Sequence, residues 1–422
     1  MKALVIALFA MLCLPLAPLA GDAQEMAQES RFQHWKADFR ARALARGFAA
    51  EQVDALLAGL APDPAVLDRD RAQPEFTRSM ADYLAGVLTQ RRIDNGRKAR
   101  AANAMMLDKI SARYHVPAHV LVAVWGLESA YGAVQGGFDV VRSLVTLADD
   151  GRRRAWAEGE LFAVLNILQS GAARRDELTG AWAGAMGQPQ FLPSAYMRYA
   201  VDWDSDGRKD IWRTPADALA SMAYYLAQKG WRPGLPWGVE VQLPAGFDFA
   251  LADDTAMSIG AWSVRGVVRA DHAIWRAAAQ DRTARLILPA GHAGPAFLVT
   301  DNFAVIKRYN NSTAYALGVG LLSDALGGGG PLRASWPASP GPLSRTQIRA
   351  LQGALVRAGF DAGIADGLAG PQTRRALRAF QKSAGLVPDG FVDRALFEPA
   401  MARLADFADA PVAQGQHGDE RH

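Results

Sequence analysis

One carboxylate stands out in the sequence because it lies within an apolar run. The stretch VLVAVWGLESAYG, residues 120–132, has Glu128 as its single charged residue. Counting back by helical steps reaches Val124 and Leu121, so the carboxylate shares a helix face with aliphatic side chains. Such surroundings desolvate a carboxyl group and raise its pKa, which suits a general acid. A glutamate at a helix end that reaches solvent or an arginine fits the same residues, and this stretch alone leaves both interpretations open.

Two later stretches carry polar side chains of the kinds that bind carbohydrate. WAGAMGQPQFLPSAY, residues 182–196, combines small residues, which let a backbone approach a ligand, with the amide of Gln190. RYNNSTAYALG, residues 308–318, places tyrosines and amides at the start of a helix. The candidates in it are Tyr309, Asn310 and Tyr315. A tight helix-packing loop would also explain the first stretch, and helix capping part of the second.

An acidic loop indicates a cation site. In DWDSDGRKD, residues 202–210, aspartates alternate and Gly207 follows, as at the beginning of an EF-hand calcium loop. The usual glutamate at the twelfth position is missing, since Arg213 stands there. The candidate ligands are Asp202, Asp204, Asp206, the carbonyl group of Arg208, and Asp217 on the following helix. We expect a structural Ca2+ in this loop and no cofactor for catalysis; the alternative is a solvated turn that caps the helix.

The elements that must position these residues are mainly helical. From residue 30 to about 225 apolar residues recur at helical spacing, and Pro117 is placed to be the first residue of the helix that carries Glu128. Between 238 and 299 the texture changes to short strands, and a helix follows at 315–325. The predicted fold class is therefore mainly α, of the α+β kind, with a small β-containing subdomain.

The chain divides into a large domain, a linker and a small domain. The linker is rich in Gly, Pro and Ser, a composition typical of a flexible connection. In the small domain, Asp366-Gly367 and Asp389-Gly390 each precede a helical run, which predicts an internal repeat. The predicted segments are 1–23 as an export signal, 24–326 as the large domain, 327–342 as the linker, 343–405 as the small domain and 406–422 as a disordered tail.

The amino terminus and the composition bear on location and partners. MKALVIALFAMLCLPLAPLAGDAQ has a lysine, an apolar stretch and small residues, the pattern of an export signal. Cys13 is the single cysteine and lies inside it, so the mature chain has neither a disulfide nor a cysteine nucleophile. The net charge of +3 is too small to argue for nucleic acid. We expect a soluble periplasmic monomer without a lipid anchor or a transmembrane segment.

Four motifs occur in an order that is specific to one family. They are LVAVWGLESAYG, FDVVRSLVTLADDGRRRAWAEGEL, AGAMGQPQFLPSAY and IKRYNNSTAYALGVG. Across residues 30–326 the chain thereby resembles the lytic murein transglycosylase B family. In the small domain, ADGLAGPQTRRALRAFQ and GLVPDG are similar to the common peptidoglycan-binding module. The resemblance implies a lysozyme-like helical catalytic domain with a small β-containing subdomain, followed by a small three-helix peptidoglycan-binding domain.

The resemblance also implies a reaction on peptidoglycan glycan strands. Glu128 would protonate the bridging oxygen of the β-1,4 bond between N-acetylmuramic acid and N-acetylglucosamine. The same residue, then ionised, would accept the proton of the muramyl C6 hydroxyl, which closes a 1,6-anhydro ring. A standard glycosidase uses two carboxyl groups, but substrate-assisted exceptions exist, and the substrate N-acetyl group would provide the assistance.

By the same resemblance, the family's substrate-contacting positions fall on four residues. They are Gln190, Tyr309, Asn310 and Tyr315. One departure is Ala181, which stands where the family commonly has a serine that orients the substrate. We expect activity with weaker positioning. Two alternatives stand beside the transglycosylase: a muramidase that adds water, and a non-catalytic wall-binding protein.

Overall fold

A computed structural model describes residues 20–72, 78–339 and 341–409. Helices dominate this part of the chain. The α-helices are α1 (Ala20–Ala45), α2 (Ala50–Leu57), α3 (Pro64–Ala72), α4 (Met80–Val87), α5 (Gln90–Ala102), α6 (Ala104–Tyr114), α7 (Ala118–Ser129), α8 (Val140–Asp150), α9 (Arg154–Gln169), α10 (Pro193–Tyr199), α11 (Pro215–Gln228), α12 (Ile259–Val264), α13 (Asp301–Tyr309), α14 (Thr313–Leu326), α15 (Arg345–Arg357), α16 (Pro371–Ser383) and α17 (Arg394–Asp409). The mainly helical fold class is confirmed.

Two short sheets complete the architecture. The strands are β1 (Phe138–Asp139), β2 (Thr179–Gly180), β3 (Gly238–Gln242), β4 (Ala256–Ser258), β5 (Val268–Arg269), β6 (Thr283–Ile287) and β7 (Ala296–Val299). β1 and β2 pair with each other, whereas the other five form an antiparallel sheet in the order β4-β6-β7-β3-β5. The β-containing subdomain between residues 238 and 299 is therefore confirmed. β4 and β5 have three and two residues, too few for an alternating pattern to reveal.

The helix that carries Glu128 lies in the core of the large domain. In α7 every residue from Val120 to Gly126 is buried, which explains why the sequence is apolar on all sides of the helix. α14 packs along α7, and α5 and α11 also contact it. Pro117 is the N-cap, with φ −60° and ψ 139°, and the helix begins at Ala118, one residue later than the sequence suggested.

Capping residues divide the predicted helical region into more helices than its apolar spacing indicates. Within the region of helical spacing predicted from residue 30 to about 225, α4 ends at Val87 and α5 begins at Gln90. The hydroxyl of Thr89 accepts the N–H of Arg92 and so starts the new helix. Apolar spacing alone continues across such a break, because consecutive helices present similar faces to one core.

The C-terminal module is a three-helix unit whose internal repeat is visible in its hydrogen bonds. In the first half, the side chain of Gln352 donates to Asp366 at 3.1 Å and accepts the N–H of Gly367 at 2.9 Å. In the second half, Gln381 makes the equivalent contacts with Asp389 and Gly390, at 3.1 and 2.7 Å. One buried glutamine thus holds each Asp-Gly turn. The predicted internal repeat and three-helix module are confirmed.

The segment between the domains is fixed to the large domain rather than free. Glu240 in β3 accepts the backbone N–H groups of Arg333 and Ala334, and the indole of Trp336 stacks on Phe297 with ring centroids 6.5 Å apart. These contacts join part of the segment predicted as a flexible connection to the large domain. Composition reports backbone freedom, but it does not register the partners that remove it.

The module also contacts the large domain directly. Arg374 and Arg378 of α16 both donate to Asp253, and the ring of His292 lies 2.7 Å from the second carboxylate oxygen of Asp389. The two Asp-Gly turns therefore differ: the second contacts the large domain, whereas the carboxylate of Asp366 bonds within the module.

Two of the predicted segments lie partly outside the described residues. The export signal, 1–23, overlaps them where α1 begins at Ala20. The tail, 406–422, overlaps them at 406–409, which are helical because α17 extends to Asp409. None of the described helices combines the length and apolar character that crossing a membrane requires.

Candidate active site

Glu128 lies in the last turn of α7, partly accessible to solvent but densely surrounded by protein. Its Oε1 atom accepts a hydrogen bond of 2.5 Å from the hydroxyl group of Tyr315 in α14. Burial raises the pKa of the Glu128 carboxyl to about 7, although the Tyr315 hydrogen bond works in the opposite direction. The group can therefore be protonated or ionised near neutral pH, as an acid–base catalyst requires.

A strained turn ends α7 directly after Glu128. Ala130, Tyr131 and Gly132 have positive φ angles of 48°, 64° and 87°. For the two non-glycine residues this conformation is costly and persists where surrounding contacts impose it. The Tyr131 hydroxyl donates to the Arg92 carbonyl group at 2.8 Å, and its ring packs on Gly126, where a Cβ atom would come within 2.6 Å of it. Gly126 therefore gives Tyr131 the space to hold this turn.

Tyrosines form the wall beside the carboxylate. The rings of Tyr309 and Tyr315 lie nearly parallel, with centroids 6.5 Å apart, and Tyr225 contacts Tyr309 at 4.9 Å. The Tyr309 hydroxyl donates to the carbonyl group of Pro189 at 2.7 Å, which joins α13 to the 182–196 loop. Burial, followed by the charge of Glu128, raises the pKa of both Tyr309 and Tyr315 well above the ordinary value. Both phenols are consequently neutral hydrogen-bond donors.

Gln190 is held in place by its own loop. It has a positive φ of 52°, and its amide nitrogen donates to the carbonyl groups of Gln135 and Gly187 at 3.0 and 2.9 Å. Within the described part of the chain its amide oxygen accepts no hydrogen bond, so that oxygen is available to a ligand. Asn310, at the C-cap of α13, is exposed. The structure thus brings Glu128 and Tyr315 into direct contact and links Tyr309 to the Gln190 loop.

Sequence reasoning missed Gln188, the residue that ties this loop to α7. Its side chain is 3% exposed, accepts the indole N–H of Trp125 at 2.9 Å and donates to the Trp212 carbonyl group at 3.1 Å. Gln135 donates to the same carbonyl group at 2.9 Å and accepts from Gln190. Two amides therefore meet at Trp212 and fix the end of α7 against the loop. In the sequence, the two glutamines that flank Pro189 were the only sign of such a role, and the sequence does not show which of them is buried.

Ala181 follows β2 and takes part in a tight backbone turn. Its N–H donates to the Ala185 carbonyl group at 2.7 Å, and its own carbonyl group accepts from Gly184 at 2.9 Å. The methyl side chain adds no hydrogen-bonding group. Thr179 in β2 is exposed, and its carbonyl group accepts the indole N–H of Trp212.

The acidic loop gathers three of the five predicted metal ligands. Carboxylate oxygens of Asp202, Asp204 and Asp217 lie within 4.8 Å of one another. Asp206 is not part of this group, and its carboxylate accepts the N–H of Arg208. One buried oxygen of Asp202 has no hydrogen-bond partner among the described residues. Burial, and then the charges of Asp204 and Asp202, raise the pKa of Asp217 to about 6. Clustered oxygens with an unpaired buried member fit a hard cation such as Ca2+.

Comparison with known proteins identifies the catalytic domain. Residues 31–324 match the family described as "Transglycosylase SLT domain", which is more than half of the chain. The chain belongs to this transglycosylase family. Residues 344–398 match the family described as "Putative peptidoglycan binding domain". The predicted family is confirmed, and so is the transglycosylase class of the enzyme.

Solved and curated relatives agree with this transglycosylase assignment. SltB3 from Pseudomonas aeruginosa, crystallised in complex with NAG-anhNAM-pentapeptide, is 47% identical over 87% of this chain and 99% of its own, with a TM-score of 0.84. Slt35, an Escherichia coli lytic transglycosylase solved in complex with calcium, is 28% identical over 69% and 92%, with a TM-score of 0.60. Membrane-bound lytic murein transglycosylase B of Escherichia coli K12 is 33% identical over 219 residues, and the match spans 58% of that relative.

Proposed function

We propose that this transglycosylase cleaves the β-1,4 bond between N-acetylmuramic acid and N-acetylglucosamine in peptidoglycan and leaves 1,6-anhydromuramic ends. The observation that carries the proposal is the isolated carboxyl of Glu128, whose pKa of about 7 allows both protonation states near neutral pH. Its 2.5 Å contact with Tyr315 holds it in one orientation at the end of α7. The relatives that share the fold are a lytic murein transglycosylase and proteins crystallised with muropeptide ligands.

In the first step, Glu128 donates its proton to the bridging oxygen as the bond to the muramyl anomeric carbon breaks. The carbonyl oxygen of the substrate N-acetyl group stabilises that carbon from the opposite face, so the enzyme needs no second carboxylate. The ionised Glu128 accepts a hydrogen bond from the Tyr315 hydroxyl. The neighbouring Tyr309 stays neutral, because burial raises its pKa, so it adds no negative charge beside the carboxylate. The Tyr315 hydroxyl stabilises the carboxylate just after it has lost its proton.

In the second step, the ionised Glu128 accepts the proton of the muramyl C6 hydroxyl. The oxygen attacks the anomeric carbon, the 1,6-anhydro ring forms, and Glu128 returns to its acid form. No water is consumed, so the released strand has no reducing muramic end. Gln190 and Tyr309, joined through the loop at Pro189, would position the sugar with the exposed amide of Asn310.

Digestion of purified sacculi tests the reaction. Mass spectrometry should find muropeptides about 18 mass units lighter than the products of hydrolysis, because the C6 hydroxyl replaces water as the nucleophile and no water is added. Reducing muramic ends would instead identify a hydrolytic muramidase. Binding to sacculi without release of fragments would identify a wall-binding protein.

The C-terminal module would hold the enzyme on its polymer, and joining two binding units raises the effective substrate concentration.

We place the activity in the periplasm, because the amino-terminal pattern is that of an export signal and the substrate is the cell wall. Amino-terminal sequencing of the exported protein should begin near residue 24. We also propose a monomer, which sedimentation would test, and a structural Ca2+ held by Asp202, Asp204 and Asp217.

A further inference from the structure

We propose that the cleft between the catalytic domain and the C-terminal module binds the peptide stems of peptidoglycan, and that Lys307 pairs with a carboxylate of the stem. The inference rests on the proposed function, because it concerns the substrate of the same site. It adds a recognition element for the peptide, whereas the residues described above would act on the sugar.

The cleft lies at the junction of α13 and α14, the helices that also carry Tyr309 and Tyr315. It is a cavity of about 520 Å³ with Lys307, Thr313 and Ala314 from the catalytic domain on one side and Arg374 and Leu377 of the module on the other. Thr313 begins α14, and two residues later Tyr315 contacts Glu128. The first turn of α14 therefore contributes Thr313 to the cleft and Tyr315 to the site of Glu128.

Lys307 is a half-buried cation without an acidic partner among the described residues. Its ammonium group donates to the hydroxyl group of Thr313 at 3.3 Å, a long contact for a charged donor. Burial, and then the positive charge of Arg374, lower the pKa of Lys307. A partly desolvated charge that is left unpaired is costly, so the site favours an anion that would neutralise it.

The acidic groups of the same cleft are already engaged. Asp253 accepts from Arg374 and Arg378, and Asp254 from Arg375. Asp393 accepts from Ser339 and from the first N–H groups of α17. A ligand carboxylate would therefore meet Lys307 without displacing an existing ion pair.

The ligand chemistry follows from the polymer. Peptide stems are attached to the muramyl residue, the sugar whose anomeric carbon reacts, and they carry side-chain and terminal carboxylates. Lys307 contacts Thr313 at the start of α14, the helix whose Tyr315 contacts Glu128. Since the cleft has walls from both domains, docking of the module completes the peptide site as well as holding the polymer.

The test compares two substrates with one variant. Lys307→Met, which keeps the aliphatic stem and removes the charge, should lower kcat/KM about tenfold on peptide-bearing glycan strands, the effect of losing one charge-assisted hydrogen bond. On strands whose peptides have been removed by an amidase, the same variant should match wild type. Lys307→Arg should recover most of the loss. Lys98→Met, at an exposed lysine on α5, is the matched control and should change neither substrate.

Equal effects on both substrates, or none on either, would overturn the assignment. A larger loss on peptide-free strands would assign Lys307 to the lactyl carboxylate that the amidase uncovers, which also overturns it. Lys307→Gln provides a second variant if the methionine reduces the melting temperature. Failure of the proposed function would be visible separately, because wild-type enzyme would then release no anhydro products from either substrate.

Discussion

Two carboxylate sites in the catalytic domain differ in the charged groups that surround them. Glu128 sits among apolar groups with one tyrosine hydroxyl, and burial raises its pKa to about 7. Asp217 is raised to about 6, but it shares its loop with Asp202 and Asp204, whose charges add to the effect of burial. An isolated desolvated carboxyl is suited to carry a proton, whereas a cluster is suited to exchange protons for a cation.

The largest effect should come from removing the isolated carboxyl. Glu128→Gln keeps the shape and the contact with Tyr315 but cannot transfer a proton. We expect release of anhydro-muropeptides to fall by roughly a thousandfold, within the usual contribution of general acid–base catalysis. The matched control is Glu51→Gln at an exposed glutamate of α2, which should retain full turnover. Wild-type rates for Glu128→Gln would assign the chemistry to another group.

Removal of the tyrosine hydroxyl should shift the pH profile. The Tyr315 hydrogen bond favours the ionised form of Glu128, so Tyr315→Phe should raise the pKa of that carboxyl. In wild type, kcat/KM should fall as pH rises through about 7, because the free enzyme must carry the proton. In the variant this fall should move to higher pH, with the maximum lowered about tenfold. Tyr114→Phe, at a tyrosine of α6, should leave the profile in place, and an unmoved limb in Tyr315→Phe would contradict the proposed contact.

The Glu128 carboxyl should also change how the free energy of unfolding depends on pH. Its pKa is about 7 in the folded chain and near 4.5 when unfolded, so ionisation favours the unfolded state as pH rises between these values. Glu128→Gln should therefore be more stable than wild type above pH 7, by about 3 kcal/mol, and gain little below pH 4.5. Calorimetric unfolding across this range measures the difference. A gain that is independent of pH would mean that the carboxyl is not desolvated.

The clustered site should respond to calcium instead. Binding at a hundred times the Kd stabilises a protein by about 2.7 kcal/mol, which should raise the melting temperature of wild type by a few degrees. Asp204→Asn should abolish most of the rise, since it removes one of the three gathered carboxylates without touching the backbone bonds of Asp217. Asp281→Asn, at an exposed aspartate, is the control. If calcium does not change the melting temperature, the loop is a solvated turn and not a cation site.

The smallest expected effect concerns substrate positioning. Ala181→Ser would restore a hydroxyl group at the turn after β2, and one added hydrogen bond is worth a factor of about three in turnover on sacculi. Because Ala181 makes its backbone bonds through its own N–H and carbonyl groups, the substitution should not disturb the turn. Unchanged turnover would mean that the alanine is not a positioning defect.

Much of the site was predictable because its residues carry strong local signals. A lone glutamate in a helix-length apolar run is unusual enough to be noticed, and the tyrosine–amide stretch before α14 stands out for the same reason. Asp-Gly turns likewise predicted the repeat in the module. The glutamines that hold those turns, Gln352 and Gln381, gave no signal of their own, because their partners lie 14 and 8 residues away and are met through folding.

The sequence by itself determined which group is the candidate acid–base catalyst, since residue type and apolar neighbours set the tendency of Glu128 toward a raised pKa. Tertiary structure decided the rest. It brought Tyr315 to Glu128 across 187 positions of sequence, joined Gln188 to Trp125 by a hydrogen bond, and gave the linker a hydrogen-bond partner in Glu240. Local patterns record what a residue prefers, whereas orientation, desolvation and pairing depend on atoms that are distant along the chain, and packing is the step that brings those atoms together.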